Sequence, residues 1–215
     1  MTKKEKNKKN KFKSQFIIIG SLFILFGLSI IGYHIYSNYR LKNIEDNNIQ
    51  EFFNEEQKEE TIQEEVFVEV ENKKVDETNY DYIAVLEIPK INLKRGLSQD
   101  KYYNNVNRNV EILKGSTMPN VSKGNFILAG HSGSGRVAFF RNLDKLTIGD
   151  ISYIYYGGIK YTYKVNNIYD IEKTGTATIT RDLNKTTLTM ITCRHNTNKQ
   201  IIVISELVER TEYNG

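Results

Sequence analysis

The sequence predicts an all-β domain, a closed or nearly closed barrel with short helices, preceded by one N-terminal transmembrane helix and an acidic stalk. Three observations predict this: an uncharged apolar run, an acidic segment after it, and a series of short β-branched runs separated by turn residues. The predicted segments are a basic tail at 1–15, a membrane span at 16–36, an acidic stalk or linker at 37–79, a β-barrel at 80–210 and a C-terminal tail at 211–215.

The predicted membrane span is the run FIIIGSLFILFGLSIIGYHIY, residues 16–36, which contains no Asp, Glu, Lys or Arg. At 1.5 Å per residue this run makes roughly 30 Å of helix, about the thickness of the hydrocarbon layer. Tyr33, Tyr36 and Tyr39 follow the apolar centre, as aromatic residues do at a membrane interface. The pattern favours an uncleaved anchor, and a cleaved signal peptide is the alternative.

The charges on the two sides of the span predict its orientation. Lysines dominate the residues before it, with Glu5 as the one acidic residue there, whereas the residues after it soon become acidic. Because positive flanks remain inside, the N-terminus is predicted to be cytoplasmic and everything after the single span extracellular. Much of the net charge of +4 belongs to this short tail. The charge therefore predicts a cell-membrane topology and no nucleic-acid partner.

The segment from Leu41 to Asn79 is rich in Glu, Asn, Gln and Lys and cannot pack into a core by itself. Its middle lacks Gly and Pro and contains good helix formers, so a solvated helix and a disordered chain are both compatible with it. Either alternative makes it a spacer. Its acidic residues are Glu45, Asp46, Glu51, Glu55, Glu56, Glu59, Glu60, Glu64, Glu65, Glu69, Glu71, Asp76 and Glu77.

From Tyr80 onward, several runs alternate between apolar and polar residues, as a strand with one wet face does. Between them, Val137–Leu146 places Phe139, Phe140, Leu143 and Leu146 at helical spacing, which predicts a helix packed on the sheet. About 130 residues are enough to bury a core without metal or disulfides.

Cys193 is the only cysteine, so it is either a small buried hydrophobe or a nucleophile. A thiol needs a base to react near neutral pH, and the chain has three histidines. His34 lies at the end of the membrane span, far from the barrel in sequence, and is not a candidate base. A turn predicted after Cys193 would carry His195 outward, away from the thiol. His131 ends the strand GNFILAGH, and strand pairing could bring it beside the thiol. We therefore predict that Cys193 and His131 form the reactive pair.

These residues, taken together, resemble the sortase family of cysteine transpeptidases. The family's Thr-Leu-x-Thr-Cys signature is similar to Thr189–Cys193, its histidine position corresponds to His131, and its Phe-x-x-Leu-x-x-Leu-x-x-Gly-Asp segment is similar to Phe140–Asp150. The resemblance covers residues 80–210. It implies an eight-stranded barrel without a cofactor, in which Cys193 cleaves a Leu-Pro-x-Thr-Gly-like sorting signal on an exported protein. The resulting thioester would be resolved by an amine of a cell-wall precursor or a pilin.

This sequence departs from the family at the strand after the cysteine, where sortases have an arginine that steadies the substrate carbonyl. The corresponding place reads Lys199-Gln200. Arg194 is therefore taken as the third catalytic residue, and Lys199 is the other cation available. Sortases that assemble pilins usually carry an inhibitory lid segment before the barrel. This chain has an acidic stalk there, which favours the anchoring of proteins to the cell wall over pilin assembly. Because Glu111 is the one acidic residue of its segment, no metal is predicted.

Two other functions are compatible with the sequence. In the first, the exported domain is a non-catalytic binding module on a stalk, Cys193 is buried and His131 only ends a strand. In the second, the protein is a plain cysteine peptidase, and water rather than an amine resolves the thioester. Dependence of product formation on an amine distinguishes transfer from hydrolysis, and reactivity of Cys193 distinguishes both from a binding module.

Overall fold

The computed structural model describes residues 3–59 and 80–213. These residues belong to two compact units, one ending at Ile44 and the other beginning at Glu45, and each unit is described by itself. Residues 60–79 of the predicted stalk and the last two residues of the predicted C-terminal tail lie outside the described residues.

The N-terminal element is helix α1, Lys3–Glu59. Within the described residues, its part Ile19–Glu56 contains a window long and apolar enough to cross a membrane. The large apolar side chains there, such as Phe23 and Leu25, are exposed. An exposed apolar helix of this length is a candidate membrane anchor, in agreement with the predicted span.

The second unit contains eight strands that form one sheet, with two 3₁₀ turns, Pro89–Ile91 and Leu143–Lys145, between them. In chain order the strands are β1 Ala84–Ile88, β2 Leu93–Leu97, β3 Glu111–Ile112, β4 Asn125–Ala129, β5 Ile151–Tyr156, β6 Ile159–Glu172, β7 Thr187–Cys193 and β8 Lys199–Glu212.

The sheet curls into a nearly closed barrel with the strand order β2-β1-β5-β6-β8-β7-β4-β3. Its two edge strands, β2 and β3, are linked by the buried side chain of Asn109 just before β3. Asn109 Nδ2 donates to the Gly96 carbonyl at 2.9 Å, and Arg95 Nε donates to Asn109 Oδ1 at 2.6 Å. The Asn109 side chain therefore supplies hydrogen bonds between β2 and β3, the two edge strands that do not pair through their backbones.

The barrel interior is filled by alternate residues of the strands, including the fully buried side chains of Leu86, Phe126, Met190 and Val203. Alternation therefore predicts the core correctly. The two-residue strand β3 is too short for any periodicity to reveal, and the sequence did not predict it.

The helix predicted at Val137–Leu146 is wrong. This segment is a series of turns with one 3₁₀ turn, although Phe140, Leu143 and Leu146 are buried as expected. Their spacing of three residues is the repeat of a 3₁₀ turn, in which positions i and i+3 eclipse. The apolar pattern identified the buried face but not the type of element.

The end of α1 packs on the barrel instead of acting as a solvated spacer. Ile49 and Phe52 are buried in a cluster with Tyr82, Val85 and Tyr103. Apolar positions three residues apart lie on one helix face, so these side chains can contact the barrel although the surrounding residues are acidic. Residues from Glu45 onward belong to the second unit, and these two side chains pack against the strands of that same unit.

A buried ion pair lies beside this cluster. Glu45 Oε2 accepts hydrogen bonds from Arg95 Nη1 at 2.8 Å and the Tyr82 hydroxyl at 2.6 Å, and Oε1 accepts from the Gly96 N–H at 2.8 Å. Burial, followed by the Glu45 charge, raises the pKa of Tyr82 far above its ordinary value, so Tyr82 remains a donor. Burial likewise raises the pKa of Tyr103 to about 12.

Candidate active site

The candidate site begins at the one parallel strand pair described in the barrel, β4 with β7. Their register runs from Asn125 opposite Thr187 to Ala129 opposite Ile191. Every residue of β7 before the cysteine is buried, which holds the end of this strand in place. Because two parallel strands end at the same edge, residues that follow each strand lie side by side.

His131 and Cys193 continue this register. The Gly130 N–H donates to the Ile191 carbonyl at 3.2 Å, and Thr192 Oγ1 donates to the Gly130 carbonyl at 2.6 Å, so the two chains remain adjacent beyond Ala129. Continuing the offset of 62 residues places His131 opposite Cys193. Neighbouring strands lie about 4.8 Å apart, so residues on one face at this spacing can exchange a proton.

The alternation of burial assigns the pair to the outer face of the barrel. Met190 and Leu128 pack in the interior, whereas Ile191 and Ile127 belong to a separate apolar cluster outside the sheet. Cys193 has the same parity as Ile191. The reactive pair therefore lies on the outer surface, at the end of an apolar face.

The position of His131 is fixed from two sides. The Phe140 ring lies against Gly130, where an added Cβ would approach it to 2.9 Å, and the Phe140 N–H donates to the His131 carbonyl at 3.0 Å. The His131 Nε2 contacts Asn107 Oδ1 at 3.2 Å. Because an amide oxygen can only accept, this contact assigns a proton to Nε2 and leaves Nδ1 for proton exchange.

Cys193 is a free thiol and is half-buried rather than fully buried. It ends β7 next to the outer cluster, in which Ile191, Ile202 and Ile204 are buried. The hydroxyl of Tyr169 accepts the Thr180 N–H at 2.8 Å and holds the β6–β7 loop near this cluster. The outer cluster and the β6–β7 loop together form an apolar surface that an extended apolar peptide segment could contact.

Arg194 is paired with Asp170 at 2.7 Å, and both side chains are about one-third exposed. Asp170 lies next to Ile171, which belongs to the outer cluster, so Asp170 projects from the opposite face of β6. The structure thus places Arg194 away from the face of Cys193. His195 and Lys199 are exposed, and the prediction that a turn carries His195 outward is confirmed.

Among the described residues, no cluster of three or more His, Cys, Asp and Glu side chains could hold a metal ion. Glu111 accepts the Val106 N–H at 3.1 Å and so has a structural contact. The absence of a metal or cofactor in the active protein stays a prediction.

A family model for the sortase domain matches residues 86–208, more than half of the 215-residue chain. The chain belongs to the sortase family. Sortases are cysteine transpeptidases of cell-wall sorting, and both the family and the eight-stranded barrel predicted from the sequence are confirmed.

This sortase is similar to the sortase A of Bacillus anthracis, with 25% identity over 215 residues, 93% of this chain and 97% of the relative. Its structure is similar to a Clostridium perfringens sortase D5 transpeptidase, with 27% identity and a TM-score of 0.56 over 78% of this chain and 99% of that chain. It is also similar to a lid mutant of Corynebacterium diphtheriae sortase A, with 25% identity and a TM-score of 0.53 over 60% and 71% of the two chains.

Sequence reasoning missed two contacts made by the predicted site residues. Asn107 was not singled out, because nothing local indicates that the β2–β3 loop reaches the end of β4. Asp170 was not recognised as the partner of Arg194, because the two residues are 24 positions apart and β8 lies between their strands. Both contacts depend on strand order, which a single sequence does not reveal.

Proposed function

We propose that this sortase cleaves a Leu-Pro-x-Thr-Gly-like sorting signal of an exported protein and transfers the acyl group to an amine of a cell-wall precursor or a pilin. Cys193 is the nucleophile and His131 the general acid and base. The helix within residues 16–36 anchors the enzyme in the cell membrane, with the basic tail in the cytoplasm and the barrel outside.

The continued β4–β7 register is the observation that carries this proposal. It brings a half-buried thiol and an imidazole to one edge and one face of the sheet. The outer apolar cluster beside them suits the apolar residues that precede the cleaved bond of such a signal. The similar Clostridium perfringens protein is a transpeptidase, which supports transfer rather than simple hydrolysis.

In the first half of the reaction, the Cys193 thiolate attacks the carbonyl carbon of the Thr-Gly bond and forms a C–S bond. The C–N bond then breaks, and the His131 imidazolium gives its proton to the departing glycine amine. In the second half, an acceptor amine attacks the thioester, His131 takes the proton from the nitrogen, and the C–S bond breaks. The thiolate leaves with the electron pair, and the site is regenerated.

The test uses the full-length chain in detergent micelles with a panel of fluorogenic Leu-Pro-x-Thr-Gly-type peptides. Each peptide is incubated with and without triglycine or diaminopimelate as the amine, and mass spectrometry follows both Cys193 and the products. We expect an acyl adduct on Cys193 that becomes an amine-linked product. The peptide and amine that react fastest identify the sorting motif and the type of acceptor.

His131→Ala is expected to abolish turnover without changing the unfolding midpoint. His195→Ala is the matched control, because this histidine is close in sequence to Cys193 but exposed in the turn. If the rate and the products are the same with and without the added amine, the enzyme is a peptidase. A Cys193 that remains unmodified by every peptide would contradict the proposal, and near-normal turnover of His131→Ala would contradict the role of that residue.

A further inference from the structure

The attack of a thiolate on a carbonyl carbon places negative charge on the carbonyl oxygen. A hydrogen-bond donor directed at that oxygen accelerates the step, and removing one such donor from an enzyme commonly lowers the rate by about 10²-fold or more. The proposed function therefore requires a donor on the face of the barrel that carries Cys193.

The backbone N–H group that follows the nucleophile already donates a hydrogen bond within the protein. The Arg194 N–H, the first donor after Cys193, is bonded to the Lys199 carbonyl at 2.9 Å and closes the β7–β8 turn. It is therefore directed across the hairpin rather than toward a substrate above the sheet.

The two nearby cations lie on the other face. Arg194 and Lys199 form the next pair along the hairpin, so their side chains alternate to the side opposite Cys193. The Arg194 guanidinium is engaged with Asp170 at 2.7 Å. Neither cation is directed at the thiol.

Gln200 lies directly across the hairpin from Cys193 in the β7–β8 register. Because the neighbouring pair of Arg194 and Lys199 is hydrogen-bonded, Cys193 and Gln200 form a non-hydrogen-bonded pair. The Cα atoms of such pairs are about 4.5 Å apart, and their side chains are close and on one face. Cys193 thus has His131 on its β4 side and Gln200 on its β8 side.

The Gln200 side chain is half-buried, and among the described residues it makes no hydrogen bond, ion pair or ring contact. A primary amide provides two N–H donors without a charge, and glutamine is among the side chains that stabilise oxyanions in enzymes. Its amide group is therefore available to a ligand at the thiol.

We propose that the side-chain amide of Gln200 donates a hydrogen bond to the oxyanion formed when Cys193 attacks a carbonyl carbon. The inference rests on the proposed function and adds a catalytic residue to it. The site then contains a thiol, an imidazole and a neutral amide donor, contributed by β7, β4 and β8 respectively.

The experiment compares two reactions of Cys193 in the full-length chain in detergent micelles. Acylation by p-nitrophenyl acetate forms a C–S bond through a tetrahedral oxyanion and releases p-nitrophenolate. Alkylation by iodoacetamide forms a C–S bond by direct displacement of iodide and involves no oxyanion. A residue that stabilises the oxyanion affects the first reaction and not the second.

The main variant is Gln200→Met, which retains the length of the side chain and removes the donor. We expect its acylation rate to fall at least tenfold while its alkylation rate stays within twofold of the original. Gln200→Ala is expected to do the same, and Gln200→Arg to retain most of the acylation rate. The matched control is Lys199→Ala, an exposed neighbour expected to acylate within twofold of the original chain.

Acylation of Gln200→Met within threefold of the original rate would overturn the inference. A parallel fall in alkylation would also overturn it, because Gln200 would then act on the thiol itself. A larger loss of acylation in Arg194→Ala than in Gln200→Met would assign the oxyanion to Arg194 instead.

The ester contains no sorting sequence, so this result does not depend on the peptide panel. If the panel gives no amine-linked product but Gln200→Met still loses acylation selectively, the proposed transfer fails and the role of Gln200 stands. If the panel gives amine-linked product but Gln200→Met and the original chain are acylated at the same rate, the proposed function stands and the role of Gln200 fails.

Discussion

The His131 ring is held by a side chain from a loop far from it in sequence. Asn107 belongs to the β2–β3 loop, and its amide oxygen contacts Nε2 at 3.2 Å. A general base must face the reacting groups with one particular nitrogen, so the partner of the other nitrogen determines the tautomer. In the proposed mechanism, Asn107 therefore acts through His131 as a positioning residue.

Replacing Asn107 by leucine is expected to lower kcat/KM for peptide transfer about fivefold to tenfold, since one neutral hydrogen bond contributes roughly 1 kcal/mol. Asn107→Asp retains an acceptor oxygen and adds a negative charge, which interacts favourably with the imidazolium form of His131. We expect this variant to retain activity and to move the imidazole limb of the pH profile to higher pH. The measurement is kcat/KM against pH for both variants.

Two results would contradict this role for Asn107. The first is a leucine variant with unchanged kcat/KM. The second is an aspartate variant that loses activity with the same pH profile as the original, because a purely structural contact would not respond to the charge.

The end of helix α1 packs on the barrel, although its acidic sequence predicts a solvated segment. Around Glu45 the segment is strongly acidic, yet that carboxylate is buried against Arg95, Tyr82 and the Gly96 N–H. Gly96 has to lack a side chain because the Tyr82 ring covers it, and an added Cβ would lie 2.1 Å from the ring. Ile49 and Phe52 complete this contact one and two helical turns further on.

Glu45→Ala is expected to destabilise the barrel by about 3–5 kcal/mol, because it leaves the Arg95 guanidinium buried without its partner. The measurement is denaturant unfolding of the full-length chain in micelles, followed by near-ultraviolet circular dichroism of the tyrosines. Glu51→Ala is the matched control, since Glu51 is exposed on the same helix and should change stability by less than about 0.5 kcal/mol.

The double variant Glu45→Leu/Arg95→Met separates charge from packing and should recover much of the lost stability. If Glu45→Ala and Glu51→Ala unfold at the same denaturant concentration, the ion pair does not stabilise the barrel. A fragment that begins near residue 75 lacks this helix contact and is expected to be less stable than one that begins before Glu45.

At the scale of the whole molecule, local patterns predicted the barrel, and long-range contacts determined the rest. The reactive role of Cys193 and His131 stays a prediction. Alternation in β6 was visible in the sequence, because burial on one face leaves a period of two. The position of Arg194 was not visible, because it depends on Asp170 from β6, a strand that does not neighbour β7. Similarly, the buried face of Phe140 and Leu143 was predictable, whereas the 3₁₀ geometry was not.

The predicted topology places residues 1–15 inside the cell and the barrel outside. Protease added to intact protoplasts is therefore expected to digest the barrel while an epitope tag fused before Met1 stays protected. Permeabilised protoplasts are the control and should lose the tag as well. Loss of the tag from intact protoplasts, with the barrel spared, would reverse the orientation.

The parallel pairing of β4 with β7 also has a consequence for biosynthesis. The histidine strand precedes the cysteine strand by 62 residues, and the residue opposite the thiol lies in β8, the last strand of the chain. Contacts so distant in sequence form late, because the intervening chain must be closed into a loop first. During synthesis and export, the membrane helix emerges long before the thiol has either neighbour. The proposed reactive centre therefore forms only when β8, the last strand described, is in place.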